Sequence, residues 1–134
     1  MTMIQRVAQI FGVVFLLVAI IGFVASGTSM EADPAAAPKA LGLFPVNLVH
    51  NLVHAAFGIW GLAASRSFGG AKSYATIGGI IYLVLAGLGF VAPNGFGLVP
   101  LGGHDVWLHL VLGIALLAAG VMAKDVPRRD TVGA

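Results

Sequence analysis

Apolar and polar positions alternate along this chain on a long scale: four extended apolar runs are separated by short polar, glycine- or proline-bearing segments. The first run covers about 4–25 and is broken only by Arg6 and Gln9 near its start. The others cover about 47–64, 75–92 and 105–123. Each has about 18–22 residues, which at 1.5 Å per residue crosses a hydrocarbon core of roughly 30 Å. Lipid offers no partner to free backbone amides and carbonyls, so runs of this length are expected to be helices. The pattern predicts an all-α fold, a four-helix transmembrane bundle that forms one membrane domain over 1–134. The segment 26–46 is the one sizeable piece outside the runs. With Pro34, Pro38 and few large apolar groups, it is expected to be mobile or partner-bound. Arg6 and the small residues Ala25-Ser26-Gly27 would also suit a cleaved signal peptide. The first run is longer than the usual signal core of about 7–15 residues, so a retained helix is expected.

Composition agrees with lipid as the main solvent. The chain is 59% hydrophobic and 9% charged, with a mean hydropathy of +1.00. A soluble domain needs about 25% charged residues to keep its surface solvated. The net charge is only +2 and the cations are scattered, which argues against a nucleic-acid partner. The absence of cysteine excludes disulfides, thiolate metal sites and covalent haem attachment. Arg6, Arg66, Lys72, Lys124, Arg128 and Arg129 fall on one side of the four runs, and Lys39 alone on the other. By the positive-inside rule, both termini and the middle loop are expected in the cytoplasm. Trp107 and Tyr74 lie near run ends on opposite sides, positions that suit the headgroup zone.

The second and fourth runs begin alike. Leu43-Phe44-Pro45 leads to His54 and Gly58, and Leu98-Val99-Pro100 leads to His109 and Gly113, at a constant offset of 55. The first and third runs end alike, in Gly22-Phe23-Val24-Ala25 and Gly89-Phe90-Val91-Ala92, at an offset of 67. Two parallel-repeat helical hairpins, related by a pseudo-two-fold axis along the membrane normal, would give this register.

The polar residues of these runs are not random. Asn47, His50, Asn51, His54, Gly58 and Gly61 share one helical face, and Asp105, His109, Gly113 and Gly120 share another. Polar groups in a membrane helix face protein, and glycines allow close approach, so the two faces are expected to meet, Gly58 near Gly113. Three readings fit. In the first, Asn47 and Asp105 cap helix starts and the imidazoles hydrogen-bond across the bundle. In the second the cluster holds a ligand. His50 and His54 have the i, i+4 spacing of metal-binding helices, with His109 as a third ligand and Asp105 or His104 as a fourth or a support. Haem b between His54 and His109, with room made by Gly58 and Gly113, is a variant. The third reading, a transport path, lacks the deep acid or base that ion-coupled carriers use.

At these residues the sequence resembles a bacterial family of small four-helix membrane proteins known as a domain of unknown function. The resemblance rests on the N-x-x-H-N-x-x-H-x-x-x-G start (Asn47, His50, Asn51, His54, Gly58) and on D-x-x-L-H (Asp105, Leu108, His109). It spans nearly the whole chain, least so the termini and the first long loop. It implies a multi-pass protein of the bacterial inner membrane and no particular reaction. The expectation is therefore a non-enzymatic scaffold or accessory subunit in the bilayer, in a homo-oligomer or a larger membrane complex. The alternative is a haem- or metal-binding redox protein using His54 and His109.

Overall fold

The computed structural model describes residues 1–125. Arg128 and Arg129, counted above among the cytoplasmic cations, lie outside the described residues. The first helix, α1 (Met3–Ser26), opens at Thr2, whose hydroxyl accepts from the Gln5 amide while the Gln5 side chain accepts from the Thr2 amide. This reciprocal cap satisfies donors that a helix start leaves free. Asn47 caps α2 (Leu48–Ala64) and Ser67 caps α3 (Phe68–Val91). α4 (Asp105–Met122) begins without a side-chain cap. α1, α3 and α4 are long and apolar enough to cross a membrane; α2 has 17 residues and is shorter. α3 starts at Phe68, well before the apolar run at 75. The Ser67 hydroxyl accepts from the Gly70 amide, and Ala71 is fully buried in the core. Lys72 then reaches across to donate to the Ala123 carbonyl at the end of α4 (3.0 Å).

The segment 26–46 is folded onto the end of the bundle, which corrects the expectation of a mobile strip. Asp33 Oδ1 accepts from the Ala35 amide, and Lys39 Nζ donates to the carbonyls of Pro34 and Ala37. A two-residue antiparallel ladder joins β1 (Lys39–Ala40) to β2 (Phe44–Pro45), and the Leu48 amide donates to the Ser29 carbonyl. Its buried contacts come from Pro45 and Val46 together with Ala32, Ala37 and Ala40, small residues that a search for large apolar groups passes over. The second loop, with a 3-10 turn at Gly95–Gly97, packs against it where Gly102 meets Pro34.

Within the bundle, α1 lies along α2 and α3 lies along α4. Glycines set both approaches. A β-carbon on Gly12 would stand 2.8 Å from the Leu62 amide nitrogen, and one on Gly79 would stand 2.5 Å from that of Leu117. Likewise Gly58 meets Leu16 and Gly113 meets Leu83. These contacts correct the expectation that Gly58 and Gly113 bring α2 and α4 together: each glycine faces its sequence-adjacent helix. Gly61 packs on Ala8 and Gly12 of α1, and Gly120 on Thr76 of α3, by the same logic. Gly12 and Gly79, like Leu16 and Leu83, stand 67 residues apart, and Gly58 and Gly113, like Leu62 and Leu117, stand 55 apart. The halves meet through Phe15 and Tyr82, whose rings stack at 5.3 Å and 15°. Tyr74 is fully buried and donates to the Phe57 carbonyl (3.1 Å), so it belongs to the core rather than to the headgroup zone. Trp107 is half exposed.

Candidate functional site

Because α2 and α4 approach their hairpin partners more closely than each other, the space between them is filled by side chains. His50 and His54 project from successive turns of α2 with their rings stacked 4.2 Å apart. His109, one turn into α4, comes within 6.5 Å of His54 and 6.3 Å of His50, centroid to centroid. One ring nitrogen from each of the three lies within 4.8 Å of the others. Asp105, one turn before His109, brings Oδ2 to 3.4 Å from His50 Nε2, at an angle that makes no hydrogen bond. All four side chains are at least 95% buried.

The expected network of interhelical hydrogen bonds is not formed. Both nitrogens of His50, Nδ1 of His54 and of His109, and both Asp105 oxygens are buried without a hydrogen-bond partner among the described residues. Nor does Asp105 cap its helix. An acidic group in the first turn is favoured by the helix dipole, but its oxygens point to the histidines instead. A buried polar atom left unpaired costs about 1–3 kcal/mol; His50 Nε2 and Asp105 Oδ2 face each other at 3.4 Å, and the other four atoms of the cluster need a further partner.

The remaining polar residues of the stripe have other tasks. Asn47 accepts from the His50 amide (2.9 Å) as a helix cap and donates to the Leu98 carbonyl of the second loop (2.9 Å). It holds the first turn of α2, and so His50, against the other hairpin. Asn51 turns away from the histidines: its amide donates to Ser26 Oγ (2.8 Å) and its oxygen lies over Gly22, locking α1 to α2. His104 is exposed and accepts from Trp107 Nε1 (2.9 Å), which removes it from the candidate ligands. Tyr82 is the residue that the sequence reading missed. Its ring stands 5.3 Å from His109, and its hydroxyl is buried without a partner. The signal was available: at the offset of 67 it replaces Phe15, so a hydroxyl occurs where an unsubstituted ring serves the first hairpin.

A cavity of about 60 Å³ lies against the three imidazoles, with Val53, Leu85, Val99 and Leu101 as its other walls. Sites for drug-sized or larger groups take about 300–1,000 Å³. Gly58 and Gly113, expected to make room for a porphyrin, are filled by Leu16 and Leu83. The geometry suits an ion and does not suit haem.

No curated protein and no solved structure matches the chain. The pattern of one protein family matches residues 5–122, which takes in all four helices, both loops and every residue of the cluster. This small helical protein, with three helices long enough to cross a membrane and a buried histidine triad, belongs to the family described as a domain of unknown function (DUF4383).

Proposed function

We propose that the chain is a small multi-pass protein of the bacterial cytoplasmic membrane that holds one divalent transition metal between α2 and α4. His50, His54 and His109 are the ligands, and Asp105 orients His50. The observation that carries the reading is the cluster of unpaired polar atoms on four buried side chains, three of them with ring nitrogens within 4.8 Å of one another. Ligands on one tetrahedral ion at about 2.0–2.1 Å stand roughly 3.4 Å apart, so modest side-chain rotations complete the site. A metal-bound histidine usually donates its second N–H to a carboxylate, and a small turn of His50 converts the 3.4 Å approach of Asp105 into that bond. The ion ties together the two helices that share least backbone contact. That fits a bundle whose role is to bind and hold rather than to catalyse, as a scaffold or accessory subunit.

Two further parts of the reading rest on named features. The matched contacts Gly12–Leu62 and Gly79–Leu117 support descent of the two hairpins from one duplicated unit. The clustering of Arg6, Arg66, Lys72 and Lys124 at one end, away from Lys39, supports a cytoplasmic placement for that end.

The test is metal analysis of protein purified in mild detergent without a histidine tag, together with an absorption spectrum and melts with and without chelator. About one equivalent of divalent metal, lost in His54→Ala and His109→Ala and retained in His104→Ala, is the expected result. Protein that takes up no zinc, iron, manganese, cobalt or copper on dialysis, with melts indifferent to chelator, sinks the metal site. A Soret band would overturn the exclusion of haem.

A further inference from the structure

The cavity beside the triad has a direction. Its walls other than the histidines are Val53, Leu85, Val99 and Leu101, all aliphatic. Val53 is 38% exposed on the outer surface of α2, and Leu85 and Val99 are half-buried, so the cavity wall reaches the flank of the bundle. At the loop end the wall is held by hydrogen bonds and close packing. Asn47 is bonded to the Leu98 carbonyl, the amides of Leu101 and Gly102 both donate to the Pro93 carbonyl, and Gly102 is wedged between Pro34 and Pro93.

A three-histidine ion keeps a coordination position for something besides protein. Resting on the metal reading above, we infer that this position takes a neutral molecule of two or three heavy atoms, of the size of dioxygen or nitric oxide, arriving from the lipid through the Val53–Leu85–Val99 flank. Charge decides against anions: once the bundle has closed around its metal, an anion crossing an aliphatic opening loses its hydration and meets no compensating group before the site. Size decides against larger lipid-soluble molecules, because about 60 Å³ accommodates only a few atoms.

The experiment uses full-length protein that has acquired ferrous iron during anaerobic growth, purified anaerobically in detergent or nanodiscs, with nitric oxide as the neutral probe and azide as the charged one. Iron content is measured on every sample, and binding is followed by optical and electron paramagnetic resonance spectra. Nitric oxide is expected to form a stoichiometric iron–nitrosyl signal while azide leaves the spectrum unchanged. Val53→Trp, and independently Leu85→Trp, should keep iron at wild-type content and slow nitric oxide binding at least tenfold. Full iron content with equal access for azide, or with nitric oxide rates unmoved in both tryptophan variants, overturns the lipid-side route and leaves the metal site standing. Protein that retains no iron or other metal defeats the metal reading itself, and this inference with it.

Discussion

The side chains of His50, His54, His109 and Asp105 are buried together with polar atoms that have no hydrogen-bond partner among the described residues, and this makes their substitution effects differ from those of ordinary core residues. Three ligands of one ion act together, so His50→Ala should cost as much metal affinity as His54→Ala or His109→Ala. If the histidines merely packed, His50, nearest the helix start, would matter least. Asp105→Asn keeps the shape but weakens the support of His50. Loss of such a partner typically costs 10–100-fold in affinity, which competition with a chromogenic chelator measures directly. Because imidazoles bind metal only when neutral, acidification should release the ion, and melts should become chelator-insensitive at low pH. Asn51→Ala tests the opposite expectation: its bond goes to Ser26, so it should lower thermal stability and leave metal content at wild type. The sequence made three of these roles readable. Spacing put His50 and His54 on one face, the offset of 55 pointed to His109, and Asn47 stood where a cap is needed. The destination of Asn51 and the importance of Tyr82 were not readable, since both depend on which helix each face meets.

At the level of helices, the glycine contacts define two hairpins, each closed by backbone-to-backbone approach. Gly12→Val and Gly79→Val both drive a branched side chain into a neighbouring main-chain nitrogen that cannot retreat. Each should destabilise the bundle by about 1–3 kcal/mol, the usual cost of overpacking, read as a lowered unfolding midpoint in detergent. Cysteines at Leu16 and Gly58, or at Leu83 and Gly113, should oxidise readily, because the second residue of each pair points at the first. The pair Gly58 and Gly113 should not, since the two positions face different helices. The helices themselves were legible as apolar runs, with α1, α2 and α4 close to their expected bounds. The early start of α3 was hidden because Ser67-Phe68-Gly69-Gly70 reads as a turn. Only the Ser67 cap, the burial of Ala71 and the reach of Lys72 to α4 make it helical. The helix pairing was misjudged because glycine marks a close approach without naming the partner.

For the whole molecule, the proposed orientation predicts that a single cysteine at Lys39 reacts with an impermeant maleimide in intact cells, while one at Arg66 reacts only after permeabilisation. Labelling of position 66 from outside would reverse the assignment. The halves are joined only by Ser65-Arg66-Ser67, so a chain cut there and expressed as two pieces should reassemble, with melting raised by added metal. The proposed duplication also bears on what kind of site this architecture permits. In the register of the repeat, His54 corresponds to His109, and His50 corresponds to Asp105. Two identical hairpins meeting on a two-fold axis must contribute each donor in duplicate, so their ligand sets are even: four imidazoles, or two imidazoles and two carboxylates. Three imidazole ligands, with a single carboxylate behind one of them, form an odd set, which no symmetric pair of hairpins makes. Joining the copies in one chain frees each half to change alone, and the difference between His50 and Asp105 is where that freedom reaches the centre of the bundle.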